Sequence, residues 1–241
     1  MTALDRHSSV GQFVTELPGR ARIFEQLDID YCCGGNQSLE EACTQRGLDP
    51  AEVLHRLLSY HPATGQEEQT NWSQATLAEL TDHIVSVHHQ YLRQALPRLT
   101  FLLDKVVQAH GERHPELHQL QQVFNSFQTA LELHMNKEEY VLFPMCQQLE
   151  TAQALPQFHC GRIANPIRVM RQEHEEAASD LNAMRALAND FTPPADACNT
   201  YRAMLHGLAE LEADLHRHVH KENNILFPRA SSAELALAAR P

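Results

Sequence analysis

Residues 134–144 read HMNKEEYVLFP, and residues 218–228 read HVHKENNILFP. In both copies a histidine is followed four residues later by a glutamate, as His134 and Glu138 in the first and His218 and Glu222 in the second. Side chains four residues apart lie one turn apart on the same face of an α-helix. Each copy is therefore predicted to present one imidazole and one carboxylate from a single helix face.

Around these motifs, four long segments from about residue 76 onward carry apolar residues at alternating steps of three and four. The apolar positions are Val85, Leu92, Leu96, Leu99, Leu103 and Val106; Leu120, Phe124, Phe127, Leu131, Val141 and Met145; Ile167, Met170, Ala177, Leu181 and Met184; and Met204, Leu208, Leu211, Leu215 and Ile225. This period is typical of the buried seam of a helix bundle. The sequence predicts an all-α fold with an antiparallel four-helix bundle over residues 76–230.

Six polar residues interrupt these apolar seams at positions where the period calls for a core side chain. They are His89, His134, Glu138, His174, His218 and Glu222. His89 precedes His134 by 45 residues and His174 precedes His218 by 44, so the chain contains two copies of a helical hairpin. A buried charge without a partner is strongly unfavourable, and six in register favour metal ligands over separate hydrogen-bonded core residues.

The donor set predicts two metal ions rather than one. A single zinc site needs four ligands and would leave two of these six groups without a metal. If Glu138 and Glu222 both bridge, each metal has two histidines, two carboxylate oxygens and an oxo or hydroxo bridge, which leaves one octahedral position for a small ligand. Histidine and carboxylate donors suit iron better than copper(I) or magnesium, although bundle-core di-iron proteins commonly use Glu-x-x-His.

The other histidines and the repeated Leu-Phe-Pro are interpreted as structural. His83 and His88 fall off the seam, His110 and His114 lie at a helix end, and His216 and His220 flank His218 on other faces. The Leu-Phe-Pro sequences are predicted to pack and to end their helices, because proline cannot continue the hydrogen-bond pattern of a helix interior.

Residues 1–60 are predicted to form a separate small helical domain that contains the turn Tyr31-Cys-Cys-Gly-Gly35. Pro18 is predicted to open a helix that ends at Leu27. The capping-box spacing of Ser38 and Glu41 and the Asp49-Pro50 pair predict two more helix starts. The polar residues 61–75 are interpreted as a linker, and residues 231–241 as a C-terminal tail.

The chain has 241 residues with a formal charge of −12, which disfavours nucleic acid or an anionic membrane as a partner. No stretch approaches the roughly 18 consecutive apolar residues of a membrane span, and the N-terminus has no apolar signal core, so a cytoplasmic protein is expected. Of the six cysteines, Cys43, Cys146, Cys160 and Cys198 are assigned to packing or the surface.

The paired H-x-x-x-E-x-x-x-LFP motifs resemble those of the hemerythrin-like di-iron proteins. The Cys-Cys-Gly-Gly turn ahead of the bundle is similar to the small N-terminal domain of the repair-of-iron-centres family. The segments 165–177 and 192–198 extend the likeness over nearly the whole chain. The resemblance implies a cytoplasmic homodimer that restores iron–sulfur clusters damaged by nitric oxide or oxidants. The family's ligands carry over onto the same six residues, whereas His88 stands where an aromatic residue is expected.

The sequence leaves two questions open. Cys32 and Cys33 are either incidental thiols of a tight turn or a thiol pair that transfers iron, electrons or nitric oxide. The function is a repair factor, an enzyme that reduces nitric oxide at the di-iron centre, or an oxygen- or NO-binding sensor. The cysteine-bearing domain favours the first two, and a repair factor acting on damaged iron–sulfur proteins is the preferred interpretation.

Overall fold

A computed structural model of the chain describes residues 4–61 and 70–239, so residues 62–69 of the predicted linker lie outside the described part. The described residues form helices and contain isolated β-bridges but no β-strand, which confirms the all-α prediction. They divide into two compact units. The terminal unit comprises Met1–Thr81, Cys146–Ile163 and His216–Pro241, and the central unit comprises Asp82–Met145 and Ala164–Leu215.

The terminal unit contains the short N-terminal helices and both ends of the bundle sequence. Its helices are α1 (Val10–Glu16), a 3₁₀ turn (Pro18–Arg20), α2 (Ala21–Gln26), α3 (Leu39–Gln45), α4 (Pro50–Leu58), most of α5 (Leu77–His83) and of α8 (Phe143–Thr151), the end of α10 (Asn199–His220), a π-helix (Lys221–Leu226) and α11 (Phe227–Ala238). Residues 231–238, expected as a tail, belong to α11, where the Glu234 carboxylate accepts the Ile163 backbone N–H at 2.8 Å.

The central unit contains the long helices. They are α6 (Gln90–His110), α7 (Glu116–Lys137), α9 (Ala164–Leu187) and the first part of α10, with π-helices at Ile84–His89 and Glu138–Leu142. Helix α7 packs against both α6 and α9. Most of the predicted seam is buried, from Leu92 to Val106 on α6 and from Leu120 to Leu131 on α7. Val85 and Val141 are only half-buried, and their neighbours Ile84 and Leu142 take the core positions.

Two of the predicted helix starts of the N-terminal segment are confirmed by their caps, whereas Pro18 opens a short 3₁₀ turn without a side-chain cap. The Ser38 side chain accepts the Glu41 backbone N–H, and the Glu41 carboxylate accepts the Ser38 backbone N–H, which completes the capping box. Asp49 caps α4, whose first residue is Pro50. Gly47 follows α3 with φ +67°, a left-handed conformation that glycine adopts without strain.

The three π-helical turns were not predicted, and they change the interpretation of Leu-Phe-Pro. The backbone N–H of Phe143 donates to the carbonyl of Glu138, and that of Phe227 donates to the carbonyl of Glu222, each across five residues instead of four. Pro144 and Pro228 have no N–H, and the wider turn ahead of each lets the helix resume. The prediction that Leu-Phe-Pro ends its helix is therefore wrong.

Candidate metal centre

Four of the six predicted ligands come together inside the central unit, around the carboxylate of Glu138. Glu138 is fully buried, and each of its oxygens faces a different histidine. Its Oε2 lies 3.3 Å from the Nε2 of His89, and its Oε1 lies 3.3 Å from the Nε2 of His134. The Nε2 atoms of His134 and His174 are 3.2 Å apart. The carboxylate thus lies between the Nε2 of His89 on one side and the His134–His174 pair on the other.

Two further carboxylates hold the outer nitrogens of these histidines. Glu139 lies 2.6 Å from the Nδ1 of His89 and 2.7 Å from the guanidinium of Arg93. Burial raises the pKa of Glu139, but the hydrogen bonds from His89 and Arg93 outweigh it and leave the pKa below its usual value. Because an ionised carboxylate only accepts, the Nδ1 of His89 donates to Glu139, and in the neutral ring the Nε2 that faces Glu138 is the nitrogen left to bind a metal ion.

The same arrangement recurs at His134. Its Nδ1 lies 2.9 Å from Glu173, which is also paired with Lys137. The hydrogen bond from His134, followed by that from Lys137, holds the pKa of Glu173 at about 2. In the neutral ring, the Nε2 of His134 is likewise the nitrogen left to bind a metal ion, and it faces Glu138 and His174. Outer carboxylates of this kind fix the tautomer of metal-binding histidines.

The other two predicted ligands lie in the terminal unit, at the start of the Lys221–Leu226 π-helix. The Nε2 of His218 is 3.0 Å from the Oε1 of Glu222, one helical turn away, and both side chains are buried. In each copy, the His-x-x-x-Glu spacing therefore places the histidine and the glutamate on the same face of their helix.

The chemistry of these donors fits iron. In the central unit, the Nε2 atoms of His89 and His134 face the oxygens of Glu138, and with neutral rings all of these atoms are acceptors that a cation between them would stabilise. The donors are imidazole nitrogens and carboxylate oxygens, a set suited to iron and less suited to the soft copper(I) or the hard magnesium.

Comparison with known proteins agrees with this chemistry. The hemerythrin HHE cation-binding domain matches residues 80–230, and a domain described as of unknown function, DUF542, matches residues 6–61. A probable iron–sulfur cluster repair protein of Haemophilus influenzae is 38% identical over 91% of this chain and 95% of its own length. The iron–sulfur cluster repair proteins YtfE of Musicola paradisiaca and Escherichia coli are 37% and 36% identical over 95% of this chain and 98% and 99% of their own lengths. The chain belongs to the hemerythrin-like iron–sulfur cluster repair family.

In this repair-family chain, the Cys-Cys turn lies in the region matched by DUF542 and is organised by Asp30. The Asp30 carboxylate accepts the backbone N–H groups of Cys32, Cys33 and Gly34 at 2.8–3.0 Å. It also lies 3.1 Å from the Sγ of Cys32. The hydrogen bond to Cys33, then burial and the charge of Asp30, raise the pKa of Cys32 well above its usual value. Cys32 is therefore a buried, protonated thiol, whereas Cys33 is half-buried.

The Cys-Cys turn packs against the π-helix that carries Glu222. The Asn224 amide donates to the carbonyls of Tyr31 and Cys32 at 3.3 and 2.9 Å. Burial lowers the pKa of His220 to about 4, so the ring is neutral, and its Nδ1–H donates to the Tyr31 carbonyl at 3.2 Å. The amide of Asn223 is 4.0 Å from the Sγ of Cys33. The candidate transfer thiols thus lie beside the residues that follow Glu222.

Sequence reasoning missed several buried contacts next to the predicted ligands. His88 was placed off the seam, yet it is fully buried and its Nδ1 lies 3.0 Å from Asp214. His220 was assigned to another face, yet it is buried against the Cys-Cys turn. Each partner lies over a hundred residues away in the sequence, and local spacing therefore gave no signal of it. For Glu139 and Glu173, adjacency to a predicted ligand was a usable signal.

No helix among residues 4–61 and 70–239 has the length and apolar character that crossing a bilayer requires.

Proposed function

We propose that this protein holds a dinuclear iron centre and repairs iron–sulfur clusters damaged by nitric oxide or oxidants. The observation that supports a dinuclear centre is the position of Glu138, whose two oxygens face the imidazoles of two different histidines. A carboxylate with one oxygen toward each of two donor groups is suited to bridge two metal ions. The repair activity rests on relatives that match over nearly their whole length and are named iron–sulfur cluster repair proteins.

The proposed ligands are the six residues that interrupt the apolar seams: His89, His134, Glu138, His174, His218 and Glu222. The duplicated motif supports the assignment of His218 and Glu222 by giving them the same spacing and burial as His134 and Glu138. When bound by this set, iron supplies a coordination position for a small ligand such as nitric oxide or oxygen, and it is also a source of iron for a damaged cluster.

The chain's own groups prepare the site. Glu139 and Glu173 hold the Nδ1 protons of His89 and His134, which keeps both Nε2 lone pairs directed inward. The ligands are almost completely buried, which keeps bulk water from competing for the donors. Preorganised donors in a site closed to water interact more strongly than they would in solution.

Cys32 and Cys33 are proposed as the thiols that mediate transfer toward a damaged iron–sulfur protein. Their place beside Asn223 and Asn224, directly after Glu222, supports this role. The half-buried Cys33 is the thiol available to a partner, whereas Cys32 stays protonated and buried. A cytoplasmic homodimer remains part of the proposal, on the resemblance alone.

Iron analysis tests the dinuclear centre directly. Protein purified without oxygen is expected to contain close to two iron atoms per chain. Glu138→Ala and Glu222→Ala each remove a proposed bridge and should lower this content. His206→Ala should not, because His206 is exposed on α10 and pairs with Glu210 at the surface. One zinc and no iron in the wild-type protein would contradict the assignment, as would equal losses in all three variants.

Recovery of a [4Fe–4S] dehydratase inactivated by nitric oxide tests the repair function. Wild-type protein should restore its activity, and Glu138→Ala should not. Cys32→Ala/Cys33→Ala should keep the iron and its spectrum but restore the dehydratase more slowly. Recovery by the double variant at the wild-type rate would assign the cysteines to structure. If wild-type protein restores no dehydratase activity but consumes nitric oxide catalytically with a reductant, the nitric oxide reductase interpretation replaces the repair function. Binding of nitric oxide without turnover would favour a sensor.

A further inference from the structure

A cysteine and a histidine form a close pair at the opposite end of α6 from His89. The Sγ of Cys198 lies 3.2 Å from the Nε2 of His110. Cys198 directly precedes α10, and its carbonyl accepts the first backbone hydrogen bond of that helix, from Arg202 at 3.0 Å. Of the chain's six cysteines, Cys198 alone is exposed.

The imidazole of His110 is buried and directed at the sulfur. His110 is 5% exposed, and its ring packs against those of Tyr201 and His114, at centroid distances of 5.3 and 6.3 Å. Within the described part of the chain, its Nδ1 has no hydrogen-bond partner, so the contact with Cys198 is the polar contact of this ring. A buried imidazole thus contacts the thiol of an exposed cysteine.

We propose that Cys198 is a modification site that reacts with small-molecule disulfides, with His110 taking the thiol proton. Thiolates are the reactive form of cysteine, and a neighbouring imidazole or a helix N-terminus stabilises them. Cys198 has both neighbours. The sequence assigns Cys198 to packing or the surface, and this proposal adds a chemical role for its thiol.

The step is a thiol–disulfide exchange. The Nε2 of His110 accepts the proton of Cys198, and the thiolate attacks one sulfur of a disulfide RS–SR. The S–S bond of the reagent breaks, a mixed disulfide forms between Cys198 and one RS group, and the other RS group leaves as a thiolate that takes up a proton. The small disulfide is the oxidant, and the exchange needs no other reactant.

The net charge of the chain, rather than the groups beside the pair, favours disulfides without a net negative charge. His114 lies between the carboxylates of Glu116 and Asp196, at 3.1 and 3.0 Å, and Arg113 pairs with Asp196 at 3.1 Å. The hydrogen bond with Asp196 raises the pKa of His114, so part of this acidic charge is neutralised. The chain as a whole carries −12, and this overall charge repels an anionic reagent.

This reactivity is separate from the metal centre. His110 lies 21 residues beyond His89 in a continuous helical run, which corresponds to about 30 Å at 1.5 Å per residue. Loss of Cys198 should therefore leave iron content unchanged, and a failure of the repair proposal would not decide this one.

The experiment uses iron-loaded full-length protein and the neutral reagent 2-hydroxyethyl disulfide, with adducts located by peptide mass spectrometry. Cys198 should be modified at least ~10-fold faster than the half-buried Cys160 of the same chain, because it is exposed and has a neighbouring base, which can supply roughly 10²–10⁴-fold. Glutathione disulfide, which is anionic, should react with Cys198 more slowly than the neutral reagent. Modification of Cys160 first, or at an equal rate, would overturn the proposal without any variant.

Two matched substitutions separate the base from the fold. His110→Gln should slow modification of Cys198 at least ~10-fold, whereas His206→Gln, on the exposed face of α10, should leave the rate unchanged. Circular dichroism and iron content verify that both variants are folded. In His110→Ala, added imidazole should restore part of the lost rate. An unchanged rate in folded His110→Gln would show that His110 is only a packing residue.

Discussion

The carboxylate of Glu173 has no place in the proposed ligand set, yet it controls one of the ligands. It holds the Nδ1 proton of His134 at 2.9 Å and is itself paired with Lys137. Glu173→Gln should weaken iron binding about 10–100-fold, because the ring of His134 loses its charged acceptor. Competition with a chelator, followed by the loss of the iron spectrum, measures this change.

The control for this prediction is Glu175→Gln, which makes the same change on the same helix at an exposed position. It should leave iron affinity within about twofold. Equal effects of the two substitutions would mean that general charge on α9, rather than the contact with His134, sets the affinity.

A second residue-level prediction concerns pH and His114. The hydrogen bond to Asp196 raises the pKa of His114 above its usual 6.5. A raised histidine pKa stabilises the folded state below the unfolded pKa, and the gain is lost as pH rises through the folded pKa. Asp196→Asn should therefore lower the free energy of unfolding more at pH 6 than at pH 9, as measured by urea unfolding.

Asp104→Asn is the matched control, because Asp104 accepts a hydrogen bond from Gln121 and is not paired with a histidine in the contacts above. Its effect on the free energy of unfolding should not change between pH 6 and pH 9. A difference for Asp196→Asn that is constant with pH would show that the pair with Arg113, and not the one with His114, is what the substitution removes.

The roles of single residues were predictable where they interrupt the apolar period of their own helix. His134 and Glu138 were found because two polar side chains interrupt an apolar seam that is otherwise buried. His110 could not be assigned, because its partner Cys198 is 88 residues away and belongs to another helix. Spacing along one helix gives the face of a side chain, but it does not give the element that packs against that face.

At the scale of elements, helix starts were predictable and the π-helical turns were not. The caps at Ser38 and Asp49 depend on side chains within three residues of the helix end, so the sequence contains the whole interaction. A π-helical turn inserts one residue, which an apolar period of alternating threes and fours absorbs without a visible break. The turn after Glu138 shifts the following residues, and Leu142 is buried where Val141 was expected.

The contact between the Cys-Cys turn and the Lys221–Leu226 π-helix leads to a prediction for Gly35. A Cβ at this position would lie 2.7 Å from the Tyr31 carbonyl and would also overlap the Asn224 side chain. Gly35→Ala should therefore separate the turn from Asn224 and cost about 1–3 kcal/mol of stability, the usual cost of overpacking. The buried thiol of Cys32 should then react faster with iodoacetamide.

Gly47→Ala is the comparison for this prediction. A Cβ at Gly47 meets nothing within 4 Å, and the substitution costs only the strain of φ +67°. It should lower stability without changing the labelling rate of Cys32. If both variants expose Cys32 equally, general loss of stability accounts for the labelling, and the fit against Asn224 does not.

At the scale of the whole molecule, the N-terminal segment and the last helices belong to one unit. The sequence predicts that residues 1–60 are separable, whereas the structure groups them with residues 146–163 and 216–241. Within this unit, Thr15 and Tyr31 supply hydrogen-bond partners for the buried ring of His220. Sequence reasoning found the polar stretch between the segments, but it could not show which surface the small domain covers.

A chain that begins at Asn71 tests how far this shared packing matters. Residues 80–230 match the hemerythrin domain alone, so we expect the shortened chain to fold and to bind close to two iron atoms. It should melt several degrees lower than the full chain, because His220 and Asn224 lose their partners and each ~1 kcal/mol corresponds to roughly 2–4 °C at this size.

Calorimetry and iron analysis of both chains measure the two quantities separately. His220→Ala in the full chain should reproduce part of the loss in melting temperature, because it removes one side of the same contact. Precipitation of the shortened chain without metal would contradict the separability of residues 1–60 and make them part of the core on which the ligands His218 and Glu222 depend. An unchanged melting temperature would instead mean that the contacts of His220 and Asn224 add nothing to stability.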